Sequence, residues 1–380
     1  LPAGDRSDAG PGRLDLDTVD VADPGDEEVL VEPVLVGWEG NCYHAVQRRP
    51  TDVARARGEA RIVIGNGGVV RVLRPPRRSH HEVLREGELC MVQPNYRPDV
   101  FGYGMIGAAF GYDARGTVGL LARRTTIRAE CLMPLPAGTT HSVEQWAAFS
   151  IRYVTAFANW RVAHGVWRLQ VTEDDQAHPF VWGWGGGTTF AELTLAARQG
   201  ARATIITSRQ NRITFAQAQG LAVADRRKFP DIALDQDRVR EPGYLPRYRL
   251  SEKAFLGAVH EATDGRGASV FVDYLGGTLL PATIKALARE GVVTTAGWRD
   301  GTRSGFVRAL ACINRHQHIH THYARRSEVH DAMVHGERTG WMPPPEAIGT
   351  PWPYEKVPEL VSAYADDAID PYYPLIRVNP

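Results

Sequence analysis

Short apolar runs separated by glycine and proline dominate the chain between Val29 and about Leu135. Val29–Val36, Arg61–Ile64, Gly68–Leu73 and Leu89–Val92 all read as strands. At Ser142 the period changes to a helical one, with Ser142 as N-cap and Gln145 three positions on in a capping-box relation. The pattern predicts one helical stretch through Tyr153, Phe157 and Trp160 toward Trp167, its aromatics either packed in a core or set against a cofactor. Beyond Pro179 strands alternate with helices: Phe180–Trp184, Ala203–Thr207, Ala268–Asp273 and Gly291–Ala296 are the strands of a parallel sheet. The charged, proline-punctuated interval 231–249 reads as an insertion. The end of the chain, from Trp341 through the helical Tyr354–Tyr364 to Leu375–Val378, reads as a return into the first domain.

The most specific chemistry lies in 180–200, a buried strand, a glycine turn and a helix. Gly183, Gly185, Gly186 and Gly187, with Thr188, let backbone approach a phosphate more closely than a β-carbon allows, and a helix start supplies N–H groups and a positive field. The second strand ends in Ser208 and Arg209, with Arg212 following. An acid at this tip suits a free ribose 2′-hydroxyl; a serine and arginines suit a 2′-phosphate, so NADP(H) is the expected cofactor.

With 380 residues and 43% hydrophobic content the chain can support two cores. Lys plus Arg equals Asp plus Glu at 44 each, so no polyanion attraction is implied and nucleic acid is not an expected partner. No stretch approaches the roughly 20 apolar residues needed to cross a bilayer, and the expectation is a soluble, cytoplasmic protein. Cys42, Cys90, Cys131 and Cys312 form no CxxC pair, which argues against a disulfide framework and a four-cysteine zinc site. Residues 1–28, rich in Asp, Gly and Pro, read as a flexible acidic leader. His316, His318, His320 and His322 alternate, so a strand there places all four on one side; with no acid or cysteine to complete a site, no metal is assigned.

The order of elements resembles the medium-chain dehydrogenase/reductase superfamily, and most nearly its crotonyl-CoA carboxylase/reductase branch. Trp182–Thr189 keeps most of that branch's glycine run, with Thr189 in place of the final glycine, a change that sets the first helix slightly farther from the sheet. The resemblance implies an α/β protein with a groES-like, partly β catalytic domain from 29–165 and 325–380 and a Rossmann domain from 166–324. It places Tyr112 and Asp113 near a substrate thioester, Thr294–Trp298 (with Ala296 and Gly297) beside the nicotinamide, and His322 in the active-site histidine segment. Asn41–His44 falls at the family's asparagine segment, making Tyr43 and His44 candidates. The shortened acid at Asp113 argues against carboxylation. In the zinc-dependent branch Cys42 matches the first ligand, yet Asn66 and Gly67 stand where a histidine and glutamate belong, and no cysteine lies at 152–155.

The resemblance therefore implies a zinc-independent, NADPH-dependent reductase of an activated C=C bond in an enoyl thioester or enone, with the carrier, coenzyme A, an acyl carrier protein or neither, left open. His322, His44 or Tyr112 returns a proton, Tyr43 or backbone N–H groups steady the enolate, and Asp113 either supports His322 or caps a turn. Two other readings stay open: an alcohol or carbonyl dehydrogenase using the same cofactor, and a noncatalytic nucleotide-binding partner in an assembly. A homodimer is expected, with the apolar run before Gly297 and Trp298 as the paired sheet edge.

Overall fold

The computed structural model describes residues 1–5, 10–79, 83–95, 98–104, 107–297 and 313–380. They form two compact units, Leu1–Val154 with Ala324–Pro380, and Thr155–Tyr323. In chain order the first contributes β1 (Glu28–Gly37), α1 (Gly40–Gln47), α2 (Val53–Arg57), β2 (Gly68–Arg74), β3 (Leu89–Val92), β4 (Thr125–Arg128), β5 (Leu132–Pro134) and α3 (Val143–Phe149). Helix α4 (Arg152–Arg168) carries the chain onward. The second unit holds β6 (Phe180–Trp184), α5 (Gly187–Arg198), β7 (Arg202–Thr207), α6 (Gln210–Ala218), β8 (Ala222–Asp225), α7 (Tyr244–Ala262), β9 (Ala268–Val272), α8 (Leu280–Ala286), β10 (Leu287–Thr295) and β11 (His318–Thr321). The chain then adds α9 (Arg326–Thr339), α10 (Pro345–Ile348), β12 (Trp352–Pro353), α11 (Val357–Ala365) and β13 (Leu375–Arg377) to the first unit.

The first unit is organised by β1, whose run of buried valines and leucines pairs antiparallel with β2 along one edge, and with β4 and β13 in succession along the other. The path β12-β13-β1-β2-β3-β5 completes the sheet. The expected return of the chain end is thus literal, Leu375–Arg377 lying beside Leu35–Gly37. The expected capping box is present: Ser142 Oγ accepts from Gln145 N at 3.1 Å and Gln145 Oε1 from Ser142 N at 3.1 Å.

In the second unit six parallel strands run in the order β11-β10-β9-β6-β7-β8. This is the doubly wound arrangement in which the order reverses between β6 and β9, leaving a crevice at the strand ends. Residues alternate across β6. Trp182 and Trp184 pack on one face with Phe255 and Phe271, while Gly183 faces α5 on the other.

Four sequence expectations require correction. Arg61–Ile64 is extended but joins no sheet, because loop backbone takes its hydrogen bonds: Gly119 N donates to Val63 O and Leu121 N to Ile64 O, both at 3.0 Å. The helical stretch from Ser142 to Trp167 is two helices, broken at Ile151, whose positive φ of 62° no helix accommodates. The proposed free edge at Gly291–Ala296 is internal, since β10 pairs with β9 on one side and β11 on the other. The interval 231–249 is in part the first turns of α7, which begins at Tyr244. Trp298 and Cys312 lie outside the described residues.

The contact between α5 and the sheet leaves no room for a side chain: a β-carbon on Gly183 would lie 2.5 Å from Thr189 Cγ2 and 3.1 Å from Val272 Cβ. Gly183→Ala is expected to destabilise the protein by about 1–3 kcal/mol through overpacking. Adding Thr189→Ser, which deletes the opposing methyl, recovers part of that loss in urea unfolding. A loss unaltered by the second change would place the strain elsewhere.

Candidate functional site

Two groups of candidate residues emerge, one on each unit. In the second, β6 ends in the turn Gly185–Gly186, and α5 starts at Gly187 with no side-chain cap. Gly186 has φ of 152°, which an L side chain rarely adopts, and open space where a β-carbon would project. Gly185 donates to Ile206 O at 2.9 Å, and a β-carbon there would sit 3.6 Å from Thr207 Cβ. The turn therefore lies against the tip of β7, where Ser208 is exposed and Arg209 and Arg212 are half-buried at the start of α6. Helix N–H groups, glycine backbone and arginine side chains in this order are the elements from which an anion site is built. Thr188 is half-buried in the first turn of α5; Ala296 and Gly297 follow β10 and are also half-buried, with Gly297 packed on the backbone of Tyr274.

Sequence reading missed what lies beneath this turn. Glu192, wholly buried in α5, accepts a hydrogen bond from Tyr274 Oη at 2.5 Å, and its other oxygen has no partner. Burial pushes the Glu192 carboxyl well up, more than the tyrosine bond pulls it down. Burial and the same neighbour raise Tyr274. Both shifts favour the protonated forms, and so weigh against a buried negative charge on α5.

The histidine alternation is realised in part. His318 and His320 lie on one face of β11, His316 precedes the strand in a left-handed turn, and His322 follows it. His318 Nε2 is 2.6 Å from Gln170 Nε2, and the His320 and His322 rings stack at 5.7 Å. Burial first, then the neighbouring His322, hold His320 below its ordinary value. His322 is buried, and its carbonyl accepts from Asn159 Nδ2 at 3.0 Å. Among the described residues no three His, Cys, Asp or Glu side chains are grouped to hold a metal.

In the first unit three candidate segments lie side by side. Gly37 N donates to Gly67 O at 2.9 Å, joining the end of β1 to the Gly65–Gly68 turn. Gly111 packs directly on the Gly65 carbonyl, bringing the Tyr112 loop against the same turn. Tyr43 and His44 are on α1, with Tyr43 5.5 Å from the Tyr364 ring and His44 buried. The Asp113 carboxylate accepts from Gly107 N at 3.1 Å and Ala109 N at 2.7 Å, so both oxygens organise the loop. This is the turn-capping arrangement. Cys42 is buried, and burial, followed by Glu39, pushes its thiol far up, away from the thiolate a metal needs. Arg152 stands where a second cysteine would belong; it donates to Trp38 O and draws down Glu39, whose carboxyl burial otherwise raises. Asn66 is buried at 1% exposure and neither of its amide atoms has a partner.

Sequence comparison matches no family model and no curated protein. Solved structures do match. A crotonyl-CoA carboxylase/reductase, AntE, in complex with NADP superposes with a TM-score of 0.75 at 18% identity, over 94% of this chain and 89% of the other. The fold is that of the medium-chain dehydrogenase/reductases. The 2-octenoyl-CoA carboxylase reductase CinF, solved with NADP and 2-octenoyl-CoA, gives a TM-score of 0.75 at 19% identity over 94% and 80% of the two chains. An NAD-dependent alcohol dehydrogenase shares the medium-chain fold equally well, with a TM-score of 0.73 at 17% identity over 100% of both. No helix among the described residues is long and apolar enough to cross a membrane.

The buried acid makes stability depend on pH. Because the folded-state value of Glu192 is raised, the folded chain keeps a proton that the unfolded chain releases. Stability is full below the ordinary carboxylate range and falls as pH rises toward the raised value. Glu192→Gln is expected to unfold at a higher urea midpoint than wild type, with a difference that widens as pH rises above the ordinary carboxylate range. A constant difference would mean that Glu192 is ionised in the folded protein.

Proposed function

We propose that the protein is an NADP(H)-dependent oxidoreductase that reduces an activated C=C bond without zinc. The observation that carries the cofactor assignment is the uncapped start of α5 behind the Gly185–Gly186 turn, set against a β7 tip of Ser208 and Arg209. The backbone of Gly185–Gly187 would hold the pyrophosphate, Ser208, Arg209 and Arg212 the 2′-phosphate, and Ala296–Gly297 the nicotinamide end. The zinc-free part rests on Asn66 and Arg152. A guanidinium and an amide replace anionic or imidazole ligands, which a divalent ion does not tolerate.

Bound NADPH supplies a hydride to the β-carbon of an enoyl thioester or enone. The protein's part is to steady the negative charge that develops on the conjugated oxygen and to return a proton to the α-carbon. In this reading the His322 imidazole serves the second task and backbone N–H groups the first, while Tyr43, His44 and Tyr112 are the first unit's candidates for acting on the substrate. Asp113 keeps its loop in place and takes no proton. The substrate class follows the neighbours AntE and CinF, whose names carry coenzyme A thioesters. The alcohol dehydrogenase neighbour keeps carbonyl reduction as the second reading. Self-association, if edge to edge, uses β11, whose outer side carries the exposed Ile319.

Titration with both cofactors is expected to show tighter binding of NADPH than of NADH, with Arg209→Ala losing about tenfold for NADPH alone. Equal affinities in wild type would sink the assignment. In a panel of short enoyl thioesters, free enones and aldehydes, with and without bicarbonate, NADPH is consumed in proportion to saturated product. His322→Ala lowers kcat by about a hundredfold while leaving cofactor affinity in place. Exclusive aldehyde reduction would select the second reading, and carbon incorporation would restore the carboxylase one.

A further inference from the structure

Beyond the proton-returning histidine itself, the second unit contains the device that holds it. Asn159 is fully buried on α4, and two of its three side-chain hydrogen bonds reach other parts of the unit. Its Oδ1 accepts from Thr294 Oγ1 at 3.2 Å, on β10. Its Nδ2 donates to Thr155 O at 3.0 Å, one helical turn back, and to His322 O at 3.0 Å, just past β11. The side chain therefore ties the helix, the strand that leads to Ala296–Gly297 and the histidine segment to one another. Thr294 itself is wholly buried and pairs in register with His320, so the strand contact and the histidine contact belong to one patch of sheet. The His322 ring is held from the other side by its stack on His320.

We propose that Asn159 is a positioning residue for His322, fixing the backbone from which the imidazole projects relative to β10. The inference rests on the reading of His322 as proton donor. A buried amide is suited to this, because a backbone carbonyl anchored by a donor that is itself held by Thr294 and the helix cannot shift without breaking several bonds. Displacement of a reacting group by an ångström costs rate far more than it costs binding.

The test is a double-mutant cycle in the full chain: wild type, Asn159→Leu, His322→Ala and the double variant, with Thr294→Val beside them. Turnover and the KM for NADPH are measured for the best alkene substrate, and the histidine imidazole 15N resonances are recorded without substrate. Asn159→Leu is expected to lower kcat about tenfold or more, with the KM for NADPH within about twofold of wild type. That loss should vanish in the His322→Ala background, the mark of action through the histidine. The His322 resonances should move in Asn159→Leu. Thr294→Val, close in shape to the native threonine and the fallback should the leucine variant not fold, gives a smaller fall of about threefold with the same dependence on His322. Losses that add to that of His322→Ala, or unshifted His322 resonances, overturn the proposal while leaving His322 its role. A fully active His322→Ala removes the histidine from the chemistry, a separate failure read from the single variant alone.

Discussion

Everything in the second unit depends on how closely α5 lies on β6. The absence of a side chain on Gly183 lets the Thr189 methyl sit where a β-carbon would be, so helix and strand meet with no layer between them. The other face of the strand is held as firmly. Trp184 packs 5.0 Å from the Phe255 ring, and its indole N–H donates to Thr283 Oγ1 at 2.8 Å. Thr283 in turn donates to Asp273, whose second oxygen accepts from Leu275 N and Gly276 N. One buried chain of hydrogen bonds thus fixes β6, α8 and the turn after β9 together, on either side of the point where strand order reverses. The helix start inherits its position from both faces, which is what an anion site made of backbone needs, since backbone cannot adjust as a flexible side chain would.

The parts of this architecture that were legible in the sequence are those with short-range causes. The glycine turn, the capping box at Ser142 and the alternating strands announce themselves because local sterics and local hydrogen bonds determine them. The replacement of the family's last glycine by Thr189 was visible, but its partner was not: the room expected from a glycine on the helix is provided by Gly183 on the strand. Arg61–Ile64 looks like a strand because Ile62, Val63 and Ile64 form an apolar run, and nothing in them says that loop 119–121 will take their hydrogen bonds. Ile151 carries no sign of the positive φ that breaks the helix, nor of the contact its side chain makes with Gly67, far away in the chain. Asn159 and Glu192 stayed silent for a common reason. Each is a single polar residue within an apolar pattern, and only its burial and partners, set by residues far away in the chain, give it meaning.

In the first unit, backbone contacts at Gly37, Gly67 and Gly111 join the candidate segments, while different residues set the chemistry beside them: the Arg152 guanidinium, the raised Glu39 carboxyl and the raised Cys42 thiol.

Asn66 has a consequence of another kind. An enclosed amide with neither donor nor acceptor satisfied costs about 1–3 kcal/mol, a sizeable part of what keeps a domain folded. Selection for folding alone would drift this position toward leucine or methionine, and directed evolution for heat resistance, run without an activity screen, should converge on apolar residues at Asn66 first.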